Sequence, residues 1–132
     1  MTAAADDAAL AAARDEARAT SAAAREAWSS ASPAARADWY VCWGAPTVDG
    51  GTEYLWLRVE TWNEFRIEGR LVNEPVSTLT VPYWPGDLIG FPAEELADWM
   101  RLGPGGREAG GVTVRVLESR HGEPPPDVET SR

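Results

Sequence analysis

The feature that most constrains the fold is a change of sequence periodicity near residue 39. Residues 3–30 are rich in alanine, with scattered Asp, Glu and Arg, and contain neither glycine nor proline, which favours a helix. From Trp39 onward apolar and polar residues alternate, which is the period of a β-strand. The chain has 132 residues, enough to bury one core, so we predict a single α+β protein. We assign residues 1–32 to an N-terminal helix, 33–120 to an antiparallel body and 121–132 to a disordered tail.

Small residues dominate the side of the predicted helix that can face the body. Leu10 and Trp28 are its only large apolar residues, and their spacing corresponds to five whole turns at about 100° per residue, so both project from one side. The stripe between them holds only small side chains, namely Ala13, Ala17, Ser21 and Ala24. We therefore expect the helix to dock lightly on the body or to extend past it, and to end before Pro33.

The first half of the body predicts a three-stranded antiparallel meander. Trp39, Val41 and Trp43 share one face of the first strand, and the turn sequence Asp49-Gly50-Gly51 leads into a second strand over residues 53–59. The third strand contains Phe65, Ile67 and Leu71 in alternation with charged residues, so one of its faces is exposed to water.

The second half of the body gives weaker signals. Pro85-Gly86 is typical of a type II turn, which we expect to join strands over residues 78–83 and 87–91. Residues 92–100 predict a short helix that begins at a proline. Residues 103–111 contain five glycines and predict a flexible loop.

Two interpretations stay open for the last element of the body. Val112, Val114 and Val116 alternate as in a strand, yet Thr113 could equally cap a helix that ends at Gly122. The pattern alone does not separate these alternatives.

Seven of the twelve aromatic residues are tryptophan, and several of them fall on one face of the second strand. Leu55, Leu57 and Val59 form the better core row, which turns Tyr54, Trp56 and Trp62 to the opposite face. This face is either covered by the N-terminal helix or by the segment around Trp99, or it is an exposed aromatic platform for a partner. Both interpretations remain open.

Charge excludes several classes of partner. The 21 acidic residues outnumber the 12 basic ones, so the net charge is −9, and every cation is an arginine. A nucleic-acid backbone binder or a polybasic membrane anchor needs clustered cations, which are missing here. Between residues 39 and 102 ten acids face four arginines, and an acidic body attracts a protein with a basic surface or simply stays soluble.

Cysteine and histidine usage excludes a disulfide scaffold and a conventional zinc site. Cys42 is the single cysteine and His121 the single histidine. We expect no metal and no cofactor. The N-terminus carries Asp6 and Asp7 where an export signal needs positive charge, so we expect a cytoplasmic protein.

A series of short motifs resembles a bacterial family called domain of unknown function 2314. The motifs are Glu53-Tyr54-Leu55-Trp56, Gly69-Arg70-Leu71-Val72-Asn73-Glu74-Pro75, Pro85-Gly86-Asp87, Asp98-Trp99, and Gly110-Gly111-Val112-Thr113. They are similar to the family's Glu-His-x-Trp, Gly-x-Leu-x-Asn-x-Pro, Gly-Asp, Asp-Trp and Gly-Gly-x-Thr, in that order. Tyr54 departs from the family's histidine, and a tyrosine does not shuttle protons at neutral pH.

The resemblance implies a compact fold more than an activity. It implies a small, strongly curved antiparallel sheet, SH3-like, with helices at its ends, and it favours a helix for residues 113–120. Gly69 and Asn73 then have structural roles, as a site of close backbone approach and as a turn residue.

The hypothetical binding residues are Glu53, Tyr54, Trp56, Trp62, Asn73, Asp98 and Trp99. The leading hypothesis is a non-catalytic protein-binding or accessory module, for example an immunity-type protein that blocks a basic partner. One alternative is a hydrolase or lyase with Glu53 and Asp98 as its acid and base. A second alternative is an acidic mimic of nucleic acid.

Overall fold

A computed structural model describes residues 3–121 of the chain, and the side chains of residues 8–119. Three helices and six strands follow one another, with one 3₁₀ turn. In chain order they are α1 (Ala3–Ser30), α2 (Pro33–Arg36), β1 (Trp39–Pro46), β2 (Thr52–Trp62), β3 (Arg66–Leu71), β4 (Leu88–Pro92), the 3₁₀ turn (Ala93–Glu95), β5 (Leu96–Gly103), β6 (Gly106–Gly110) and α3 (Val112–His121). The α+β class is confirmed. The predicted disordered tail, apart from His121, lies outside the described residues.

Helix α1 contacts the body through its stripe of small residues, as predicted. Ala13, Ala17 and Ala24 are buried, and Trp28 at the end of the stripe is buried as well. The helix packs mainly against β5 and α3. It ends at Ser30, and Ser32 then caps α2 by accepting a hydrogen bond from the backbone N–H of Ala35 at 3.2 Å. Within residues 3–121 no helix combines the length and the apolar character needed to cross a membrane.

The six strands form one antiparallel sheet in the order β4-β3-β2-β1-β5-β6. The predicted meander of β1, β2 and β3 is confirmed. The strand order is linear, with β4 at one edge and β6 at the other, and the sheet is not closed. The predicted SH3-like barrel is therefore not confirmed.

A β-bulge in β2 overturns the predicted orientation of Trp62. Leu55, Leu57 and Val59 face the core, but the register against β3 shifts between Val59 and Thr61. The extra residue reverses the alternation, so that Trp62 joins the core and is only 6% exposed. The prediction that Trp62 lies on the face opposite Leu55 is wrong.

Two further sequence predictions are corrected, and one is confirmed. Residues 78–83 form no strand: Leu79 makes one isolated bridge to Thr47, and Pro82 has no N–H to donate to a ladder. Phe65 precedes β3 and is 78% exposed, so it does not belong to the core row of that strand. The Pro85-Gly86 turn is present, since the N–H of Asp87 donates to the carbonyl of Trp84 at 2.9 Å and Gly86 has a φ of 95°.

The segment after β4 forms a β-hairpin in place of the predicted helix and loop. Only residues 93–95 make a helical turn, and residues 96–101 pair with the edge of β1 that β2 leaves open. This pairing satisfies backbone N–H and C=O groups of β1 that would have no partner if residues 96–101 were helical. Residues 106–110 return along β5 after a short turn. Of the two interpretations for residues 112–117, the helix is correct.

Candidate functional site

Glu53 and Asn73 both hold the chain segment 72–87, which we call the tethered loop. The two carboxylate oxygens of Glu53 accept hydrogen bonds from the backbone N–H groups of Val76 and Ser77, each at 2.8 Å. The side-chain oxygen of Asn73 accepts a bond from the backbone N–H of Trp56 at 2.7 Å. The loop forms no helix or strand, and these side chains supplement the few backbone hydrogen bonds that it makes, such as that from the N–H of Thr80 to the carbonyl of Pro46.

Apolar packing against the core also holds the tethered loop in place. Leu79 is 7% exposed and belongs to the core. The ring of Tyr83 meets the ring of Trp43 edge to face, with 6.3 Å between their centroids. The loop is therefore held at both ends and in its middle.

Several apolar side chains of the tethered loop are exposed. Val76 is 91% exposed, Trp84 65% and Val81 53%. Beside them runs a groove of about 250 Å³ whose lining includes Glu74, Leu79, Tyr83 and Trp84. Glu74 makes no ion pair within the part of the chain that the structure describes. The groove thus presents the ring of Trp84 and the carboxylate of Glu74, while the exposed side chains of Val76 and Val81 lie on the same loop outside the groove lining.

Asp98 joins β5 to the start of α3. Its side chain is fully buried, and one oxygen accepts bonds from both the N–H (2.8 Å) and the hydroxyl (2.5 Å) of Thr113. The other oxygen accepts a bond from the N–H of Trp99 at 2.7 Å. Gly110, just before α3, has a φ of 71° and lies so close to the carbonyl of Trp99 that a Cβ would be 2.2 Å from that oxygen. The Asp-Trp and Gly-Gly-x-Thr motifs therefore form one structural junction.

Glu53 and Asp98 lie on opposite faces of the sheet. Glu53 is opposite Ala45 and Asp98 is opposite Cys42 on the same strand, β1. Cross-strand partners share a face, whereas residues three apart on one strand point to opposite faces. Since both carboxylates also accept internal hydrogen bonds, the structure does not bring them together as an acid and base pair.

Trp62 and Trp99 belong to a cluster of indoles. Trp62 contacts Trp28 and Trp39, with ring centroids 6.5 and 6.4 Å apart, and Trp99 stacks on Trp39 at 5.8 Å. The indole N–H of Trp99 donates to the hydroxyl of Thr20 on α1 at 2.9 Å. These two tryptophans attach α1 to the sheet.

Tyr54 and Trp56 do lie on the face opposite the core row. This outer sheet face includes Tyr40, Tyr54, Trp56, Arg58, Arg70, Leu88 and Met100. Tyr54 is 43% exposed, with the guanidinium of Arg14 5.2 Å from its ring centroid, while Trp56 is half-buried. The face is therefore neither fully covered nor fully open, and its role in binding stays a prediction.

Cys42 should be unreactive in the folded protein. It is 3% exposed; burial raises the pKa of its thiol well above the usual range, the nearby Asp98 carboxylate raises it further, and Arg14 opposes the effect. Because the thiolate is the nucleophile, we expect iodoacetamide to alkylate the native chain at pH 8 at least about a hundredfold more slowly than the chain unfolded in urea. Equal rates in the two states would contradict the burial of this thiol.

The tethered loop is the feature that sequence reasoning missed. Assigning residues 78–83 to a strand concealed it, although three prolines, Pro75, Pro82 and Pro85, interrupt that region. Among residues 3–121, no three His, Cys, Asp or Glu side chains gather where they could hold a metal ion.

Comparisons with known proteins agree with the motif analysis. No curated protein and no solved structure matches the chain. A family model described as an uncharacterized protein conserved in bacteria matches residues 7–124, which is most of the chain. The chain therefore belongs to this bacterial family, domain of unknown function 2314 (DUF2314).

Proposed function

We propose that the chain is a non-catalytic protein-binding module and that the tethered loop contacts the partner. The observation that carries the proposal is the exposed ring of Trp84 at the groove of the tethered loop, on a segment that also exposes Val76 and Val81. Tryptophan is the residue type most enriched among those that dominate binding energy at protein interfaces. An apolar surface of this kind on a soluble chain is typical of an interaction site.

The architecture of the loop supports this role. An irregular segment longer than about 12–15 residues is uncommon in a compact domain and is usually functional or disordered. Here Glu53, Asn73 and Leu79 hold it in one conformation. A preorganised loop loses less conformational entropy on binding, so the same contacts give a higher affinity. Glu53 and Asn73 are then positioning residues, not contact residues.

We further propose that the partner presents a basic surface. The net charge of −9 attracts cations at long range, and the carboxylate of Glu74 lies in the groove where a lysine or arginine of the partner could pair with it. An immunity-type role, in which the chain blocks a basic partner, is one form of this function. A mimic of nucleic acid has less support, because Glu53 and Asp98 are used inside the fold.

Capture from a bacterial host with the full chain as bait tests the proposal. We expect the wild type to retain a basic protein, and Trp84→Ala to weaken its binding at least about thirtyfold, equivalent to about 2 kcal/mol. Phe65→Ala is the matched control, because Phe65 is an aromatic residue outside the loop that is even more exposed than Trp84. Asn73→Ala should weaken binding less than Trp84→Ala, because Asn73 holds the loop in position and does not itself contact the partner.

Equal capture by Trp84→Ala and the wild type would contradict the assignment of the loop as the binding surface. Equal losses in Trp84→Ala and Phe65→Ala would indicate a general effect of exposed aromatic residues and would also contradict it. Circular dichroism of each variant establishes that the fold is intact.

A further inference from the structure

One row of the outer sheet face combines two arginines with apolar residues. Across five strands the row runs Met100, Tyr40, Arg58, Arg70 and Leu88, each directly opposite the next. With strands about 4.8 Å apart, the row is roughly 19 Å long. Tyr, Met and Arg are residue types enriched in protein interfaces, whereas Lys, Glu and Asp are depleted there. The row contains none of those depleted types.

The charge arrangement in this row is unfavourable in the isolated chain. Arg58 and Arg70 are cross-strand partners, and like charges at directly opposite positions destabilise a sheet. Arg70 is partly neutralised by Glu60, with its Nε 3.5 Å from a carboxylate oxygen, and it also donates to the carbonyl of Gly86. Arg58 is exposed and makes neither an ion pair nor a side-chain hydrogen bond with any residue that the structure describes.

The flanks of the arginine pair are apolar and accessible. Leu88 is 47% exposed at one end, and Tyr40 and Met100 are half-buried at the other. The neighbouring row adds the half-buried ring of Trp56. A ligand that crosses the row therefore meets an apolar surface, then two cations, then an apolar surface again.

We propose that the outer sheet face binds an extended acidic segment of another protein, which carries two carboxylates two residues apart with aliphatic residues on both sides. In an extended chain such carboxylates share one face and are about 6.7 Å apart, and two long arginine side chains that start from adjacent strands about 4.8 Å apart can spread to reach both. Arginine forms paired hydrogen bonds with carboxylates, so the segment would neutralise both cations. This site is separate from the groove of the tethered loop. The groove carries the carboxylate of Glu74 and is proposed to bind a basic partner, whereas the outer sheet face binds an acidic one.

Fluorescence anisotropy with a synthetic probe tests the proposal on the full chain. The probe is a labelled decapeptide with two aspartates separated by one residue and flanked by leucines, and its matched form has asparagines at both positions. We expect the aspartate probe to bind and the asparagine probe to bind at least about tenfold more weakly. Arg58→Gln should cost about tenfold in affinity, and Arg58→Lys should cost less because the charge is kept.

Arg66→Gln provides the matched control, since Arg66 is an exposed arginine on β3 that is already paired with Glu68 and lies outside the row. This control should bind the aspartate probe as the wild type does. Trp84→Ala should also leave probe binding unchanged, which separates this site from the function proposed for the tethered loop.

Three results would overturn the proposal. Equal losses of affinity for the aspartate probe in Arg58→Gln and Arg66→Gln would show that binding depends on overall charge and not on this row. Equal binding of the two probes, or no binding of either, would show that this face does not recognise carboxylates. A wild-type dimer by sedimentation that Arg58→Gln converts to monomer would assign the face to a second copy of this chain.

Discussion

Replacing Asp98 by alanine should lower the free energy of unfolding by about 3 kcal/mol. The carboxylate is fully buried and accepts three hydrogen bonds, two of them from Thr113 at the start of α3. Without it, the N–H and the hydroxyl of Thr113 lose their partner in a site that water does not reach, and α3 loses its attachment to β5. Urea denaturation followed by circular dichroism at 222 nm measures the loss, and the helical signal of the folded state should decrease as α3 frays.

Thr113→Ala is the control for the Asp98 variant. It removes only the hydroxyl and keeps the backbone bond, so its cost should be about 1 kcal/mol. A double variant should cost less than the sum of the two, because the residues share a hydrogen bond. An Asp98→Ala protein within about 0.5 kcal/mol of the wild type would show that this junction does not stabilise the fold.

Trp62→Ala should be far more destabilising than Trp84→Ala, with a loss of about 4 kcal/mol in the free energy of unfolding. Its ring is buried between the indoles of Trp28 on α1 and Trp39 on β1, so truncation opens a cavity where the helix meets the sheet. Thermal and urea unfolding both measure this effect. The bulge that turns Trp62 inward is the reason for the large value, since the unshifted strand would place the ring in water.

Trp84→Ala is the matched comparison for Trp62→Ala, because it removes the same side chain from an exposed position. We expect a stability change within about 0.5 kcal/mol. Similar losses for both variants would contradict the different environments that the structure assigns to these two tryptophans.

Local elements were predictable wherever composition and periodicity agreed. The alanine-rich segment gives α1 with its buried stripe, and strict alternation gives the β1, β2 and β3 meander. The strand β5 was not predictable in this way, because four of the six residues from Leu96 to Arg101 are good helix formers, namely Leu96, Ala97, Met100 and Arg101. Its extended form depends on the unpaired edge of β1, a partner that lies far away in the sequence.

The site was less predictable than the fold, for reasons visible at single residues. The motif residues Glu53, Asn73 and Asp98 were identified from the sequence, but their roles were not. All three side chains accept hydrogen bonds from backbone N–H groups, and only the tertiary geometry shows that they do this and do not face a ligand. Trp62 was misplaced because a one-residue bulge leaves no mark in the alternation of apolar residues. The exposure of Trp84 depends on how the tethered loop packs. An irregular loop leaves no periodic pattern in the sequence from which this exposure could be predicted.

The place of β1 in the sheet has a consequence for biosynthesis. One edge of β1 pairs with β2, which follows it directly, but the other edge pairs with β5, whose residues are translated some fifty positions later. While the chain grows on the ribosome, β1 therefore has one edge whose backbone groups are unpaired. The strand also carries the apolar side chains of Trp39, Val41 and Trp43. Nascent edges of this kind are templates for pairing with other chains, so this stage exposes the protein most to aggregation, and α1, already synthesised, is the segment available to shield it.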